Sequence, residues 1–204
     1  MSGEAGSGLC EWPRGIYSWL GIVSVTATEI VEFWFSPRVR PLWFRSTAEF
    51  DAELRARFLP AWQAARAGAL SAWEAVPEGS LALVICLDQF PLNMFRGRPE
   101  SFSTEAAALE VAARAIGRGF DGFLDDSHKA FLYMPYMHSE VLADQDRGVA
   151  LFREAGLKDN LGFAEHHRDL VRRFGRFPHR NAILGRENTP QERAYLASDE
   201  AYLG

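Results

Sequence analysis

From Thr26 onward the apolar residues return every three or four positions, and no run of alternating apolar and polar residues interrupts them. That period buries one stripe of a helix and cannot bury one face of a strand, so the chain reads as all-α. The punctuation agrees. Ser36-Pro37 stops a first helix over Thr28 to Phe35, and Thr47 caps a second along which Phe50, Leu54, Phe58 and Trp62 are spaced. Pro60 inside that helix predicts a break or kink. A buried helix follows over Gly79 to Phe90, and Ser103 caps an alanine-rich one reaching about Ile116. Further helices are expected near Asp126 to Met134, Ser139 to Ala155, Asn160 to Phe174 and Pro190 to Leu196. Phe90-Pro91, Met134-Pro135 and Phe177-Pro178 place prolines 44 and 43 residues apart, a period suited to stacked antiparallel helix pairs.

The length, 204 residues, suits one helical domain over 26–204, preceded by a Gly/Ser-rich extension over 1–25. With 48% apolar and 24% charged residues the chain is neither disordered nor collagen-like. The longest apolar stretch, Ile16 to Val25, is about half of a membrane span, and no positive n-region marks a signal peptide. Two cysteines, Cys10 and Cys86, form neither a disulfide framework nor a metal pattern, which suits a reducing cytoplasm. A net charge of -5 argues against a general nucleic-acid binder.

Chemistry concentrates in three strings. In LALVICLDQFPLNMF (Leu81 to Phe95) a helix that is apolar all round carries Asp88, which must pair with a cation, hydrogen-bond to backbone donors or stay protonated, because desolvating a lone carboxylate costs several kcal/mol. Gln89 and Asn93 add polar demand beside it, and Arg96 follows. In RDLVRRFGRFPHRNAILGR (Arg168 to Arg186) six arginines face one acid, Asp169, a local +5 that needs carboxylates or a bound anion. Phe163, Leu170, Val171 and Phe174 form the apolar stripe of the helix before the turn; His167 lies within it and Arg173 flanks it. Gly175 reads as a helix stop and Pro178 as the opening of a new turn, which gathers Arg176, His179, Arg180 and Asn181 near a helix N-terminus, with Arg186 beyond. In FLYMPYMHSE, Ser139 reads as an N-cap and Glu140 as its dipole partner, which leaves His138 unexplained.

No metal is expected, because HExxH, cysteine pairs and an i,i+4 histidine pair are all absent, and adjacent His166 and His167 point about 100° apart. No Walker loop, dinucleotide-binding glycine fingerprint or G-x-S-x-G elbow occurs, so no cofactor is expected either.

The strings LDQFPLNMFRG, LYMPYMHSE and HRDLVRRFGRFPHRNAILGRENTPQE, with EFWFSP (Glu32 to Pro37) and Trp43-Phe44, resemble the motifs of an uncharacterised bacterial family, domain of unknown function 924. The resemblance spans roughly Ala27 to Leu196 and implies a tetratricopeptide-like stack of helices, with no activity attached. Leu92 departs from it, standing where a basic residue is expected.

Three readings follow. A binding module would use the arginine-rich groove, through Gln89, Asn93, Arg96, His167, Arg173, Arg176, His179, Arg180, Asn181 and Arg186, to hold an anionic small molecule or acidic peptide. An enzyme would use Asp88 or His138 as general base, with the arginines holding an anionic substrate. A structural network would only lock the helices together. All three expect Asp88 to be neutralised by guanidinium groups from the FGRFPHRN turn.

Overall fold

The computed structural model describes residues 25–202; the expected extension over 1–25 therefore lies almost wholly outside the described residues, as does Cys10. Among the described residues every regular element is helical: α1 (Ala27–Trp34), α2 (Ala48–Arg66), α3 (Pro77–Val84), α4 (Phe90–Met94), α5 (Glu105–Gly117), α6 (Asp126–His138), α7 (Leu142–Glu154), α8 (Lys158–Phe174) and α9 (Pro190–Leu196). Short 3₁₀ turns and one π-helical turn, Ile85–Gln89, join them. No described helix is long and apolar enough to cross a membrane.

Side-chain caps set four of the starts. Thr26 and Glu29 form a capping box on α1, Thr47 caps α2, Asp125 caps α6, and Thr189 with Glu192 forms a second capping box on α9. Gly175, at φ 70°, ends α8 in the left-handed region that favours glycine. Ser103 is not a cap. Its hydroxyl donates to the carbonyl of Glu100 in the preceding 3₁₀ turn, and α5 starts one residue later, after Thr104. Ser139 is not one either; α7 starts after Val141, and the Ser139 hydroxyl donates to Asp144 instead.

The prolines do not mark equivalent stops. α2 runs unbroken past Pro60, and α6 continues past Pro135 to His138 because Phe131, Leu132, Met134 and Met137 stay buried along it. One lost N–H bond is cheaper than unpacking that run. Pro91 sits inside α4, whereas Pro178 opens a 3₁₀ turn.

The core is one large cluster, with Trp34 edge-on to both Phe90 and Phe131 at 5.7 Å. A smaller satellite, Leu170, Val171, Phe177 and Tyr195, gathers the C-terminal part around the arginine-rich turn. α7 packs between α6 and α8. Gly148 allows the first of these approaches, since a Cβ there would meet the Cβ of Tyr136 at 2.9 Å.

The segment that carries Asp88 has its own logic. α3, the π turn and α4 form one continuous helical rod in which the Phe90 N–H reaches back five residues to the Ile85 carbonyl. Pro91 has no N–H, so the Leu87 carbonyl four residues before it loses its helical donor. The Thr104 hydroxyl donates to that carbonyl, and the Trp62 indole N–H donates in turn to Thr104 (3.1 Å). A widened turn that would otherwise leave a buried acceptor unpaired is thus tied to α5 and α2.

Candidate functional site

Asp88 is fully buried, and its partner is not an arginine. His138 Nδ1 lies 2.9 Å from Asp88 Oδ1; the carboxylate can only accept, so Nδ1 carries the proton and donates. The Gln89 side-chain amide donates to the other oxygen, Oδ2, at 2.6 Å. The expected guanidinium neutralisation is therefore corrected: a histidine at the C-terminal end of α6 does it, fifty residues along the chain. The π turn places Asp88 where this contact forms; such turns occur often at functional sites.

His138 Nε2 has no protein partner among the described residues and reaches solvent, the side chain being 17% exposed. Burial works against its charge, but the negative charge of Asp88, the hydrogen bond to it and the charge of Glu105 together hold its pKa above the usual value.

Arg180 stands beside this pair. It is 6% exposed, its guanidinium lies 4.5 Å from the Phe102 ring and 4.7 Å from that of Phe177, and its Nη1 donates to Glu105 Oε2 at 2.8 Å. The contact is single. Arg180 Nε and Glu105 Oε1 are both buried without a hydrogen-bond partner. Burial raises the Glu105 carboxyl to about 7; Arg180 and His138 oppose this and Asp88 adds to it.

Two more histidines close the cluster. His167 is buried and donates from Nδ1 to the Phe163 carbonyl at 2.8 Å. Burial lowers it to about 3, against the pull of that hydrogen bond, and the neighbouring His138, His166 and His179 lower it further. Burial and then Arg180 lower His179 to about 4, and its Nδ1 is buried and unpartnered. The Tyr202 ring packs on both, with centroids at 4.8 Å from His167 and 5.1 Å from His179. One histidine held toward its charged form thus sits in a cluster with two whose neutral form is favoured.

The other sequence candidates lie around this cluster or away from it. Asn93 donates to the Gln89 carbonyl and accepts from Arg96, while Arg96 is held by Asp51 at the surface. Leu92 is half-buried and brings no charge here. Arg173 is exposed, with its guanidinium 4.8 Å from the Phe174 ring. Arg176 makes two bonds to Glu192, and Arg186 makes two to Glu140. Asn181 is buried and donates to Asn188. Glu140 does not serve the N-terminus of α7 as expected; it turns to the Phe177 N–H and Arg186, which bind it more strongly than a helix dipole could. Phe163, expected in the apolar stripe of α8, points outward and is 62% exposed.

Glu105 escaped the sequence reading. Its signal was positional: it lies three and seven residues before the buried Ala108 and Ala112, on the inward face of its helix, where a carboxylate must find a cation. No group of three metal-ligating side chains occurs among the described residues. A cleft of about 430 Å³ between α8 and the C-terminal residues is lined by His166, Asp169, Leu170, Arg173, Tyr195 and Glu200; it does not include Asp88 or His138.

The family described as bacterial protein of unknown function (DUF924) matches residues 30–200. A solved structure of a protein of unknown function from Agrobacterium tumefaciens is similar, with 44% identity, a TM-score of 0.79, and coverage of 84% of this chain and 96% of that one. No curated protein matches.

Proposed function

Starting from a chain that belongs to the bacterial DUF924 family, and so inherits no assigned activity, we propose that it is an enzyme acting on a small anionic substrate, with His138 as the proton-transfer group and Arg180 as the anion anchor. The observation that carries this is the Asp88–His138 pair. A buried carboxylate fixes the Nδ1–H tautomer and orients the ring, which leaves Nε2 free to take or give a proton at the solvent edge. A purely structural histidine would have both ring nitrogens engaged in a buried network; here one is left over.

In this reading Asp88 positions and polarises His138, Gln89 holds the second oxygen of Asp88, and Arg180 supplies positive charge close to the reacting proton. A small anion is favoured over an acidic peptide, because Arg176 and Arg186 already carry carboxylates of their own and offer no extended basic groove. The sequential packing of α6, α7 and α8 supports tetratricopeptide-like stacking, and the buried free thiol of Cys86 suits a reducing cytoplasm.

The test is a turnover screen of small carboxylates and phosphate monoesters, run with wild type and His138→Gln. Loss of at least about a hundredfold in kcat, with KM changed by less than about threefold, is expected for a general acid–base group. Equal turnover by the two proteins, or no turnover of any compound by wild type, removes the catalytic reading.

A further inference from the structure

We propose that a compact oxyanion binds this site by displacing Glu105 from Arg180, and that Glu105 takes up one proton from solvent as it leaves. The inference rests on the reading of Arg180 as the anion anchor and adds the mode of entry and the ligand's chemical class: a small carboxylate or a similar singly bound oxyanion.

Geometry leads here. A guanidinium and a carboxylate that serve only each other usually meet fork to fork, through two parallel bonds. Arg180 and Glu105 share one bond, and each keeps a buried polar atom, Nε and Oε1, with nothing to bond. Buried polar atoms left without a hydrogen bond are costly unless another group satisfies them. Phe102 and Phe177 fix the Arg180 guanidinium from the ring sides, so the mobile member of the pair is Glu105, the first residue of α5. If its side chain turns off Arg180 while staying buried, the cation remains in place and can offer its fork to another oxyanion.

Charge balance requires the proton. The charged and titratable groups facing Glu105 are Arg180 from the 3₁₀ turn, His138 from α6 and Asp88 from the π turn. Glu140, His179 and Tyr202 also lie within the field of Arg180. An anion that simply joined Glu105 and Asp88 would bring a third negative charge into the buried space beside Arg180. An anion that replaces Glu105, with Glu105 neutralised by H⁺, leaves the charge of the cluster unchanged. Glu105 is suited to this, because burial already lifts its carboxyl to about 7.

The experiment is isothermal titration with acetate and, separately, sulfate, neither of which titrates between about pH 6 and about pH 8. Buffers of different ionisation enthalpy report the protons exchanged. Wild type is expected to take up close to one proton per anion at the higher pH and close to none at the lower, with affinity falling up to about tenfold per pH unit above neutrality. Glu105→Gln, which keeps an oxygen acceptor for Arg180, is expected to bind at the higher pH as wild type does at the lower, without proton exchange. Carboxyl NMR of ¹³C-glutamate-labelled wild type near pH 7 provides a measurement free of any variant: acetate is expected to move the Glu105 resonance to its protonated position.

Anion binding with no proton uptake, or a pH dependence that persists in Glu105→Gln, overturns the exchange and leaves Arg180 as an anion anchor. No binding by either protein at either pH overturns the anchor as well.

Discussion

Arg186 and Arg180, six residues apart around one turn, meet their carboxylates in opposite ways. Arg186 gives two bonds to Glu140, at 2.6 and 2.9 Å, and Glu140 also accepts the Phe177 N–H, so both carboxylate oxygens are occupied. Nearby, both oxygens of Glu192 are taken by Arg176, and one also serves the Thr189 N–H of the capping box. Among the described residues, Arg186 Nε and Asn181 Oδ1 are the buried polar atoms left over in that region. Around Arg180 the unfilled positions fall on the ion pair itself and on His179, beside a histidine with a free nitrogen. The first arrangement staples the turn onto the α6–α7 connection and α9. The second is not completed by the protein's own atoms, and that difference separates scaffold from site when both are rich in the same residues.

The comparison breaks most readily at the staple. Glu140→Ala should leave the Arg186 charge partly buried and the Phe177 N–H unpaired, costing about 3 kcal/mol in urea denaturation. A loss below about 1 kcal/mol would mean that the filled network does not hold the turn.

A smaller effect comes through His179. Its folded pKa of about 4 lies below the ordinary value of 6.5, so its neutral, buried form contributes stability above about pH 6.5. That contribution is lost as pH falls toward 4, because the unfolded chain binds the proton first. His179→Gln should flatten this acid limb by about 2 kcal/mol, read from urea midpoints across the range. An unchanged slope would place the acid sensitivity elsewhere.

The least change is expected at Glu105. Its folded pKa of about 7 lies above the ordinary value of 4.5, so the protonated form is favoured and stability falls as pH rises through 7. Glu105→Gln should be near neutral below about pH 5 and more stable than wild type by about 1 kcal/mol near pH 8. A large loss at all pH values would make Glu105 a second staple and erase the contrast with Glu140.

Much of the architecture was legible because helix caps are local. Thr47, Gly175 and the Pro190–Leu196 helix follow from neighbouring residues alone, and so does the helical class. The start of α5 was misplaced by one residue because Ser103 and Thr104 are equally good caps in sequence; in the fold the Thr104 hydroxyl is drawn to the orphaned Leu87 carbonyl. The polar centre was half legible. Burial of Asp88 and its need for a partner follow from its apolar surroundings. Its partner did not, since six nearby arginines looked the stronger claimants, and only three dimensions reveal that Glu105, Glu140 and Glu192 had already engaged three of them. Uniform 100° steps also hide the π turn, which changes where everything after Ile85 points.

That turn has an evolutionary corollary. It holds one residue more than a regular helix would need, so removing a single codon between Ile85 and Gln89 would restore ordinary winding and swing Asp88 about 100° around the axis, away from His138. The fold could absorb such a deletion far more readily than the dyad could. The contact between Asp88 and His138 is therefore open to loss through one in-frame event, without any substitution at either residue.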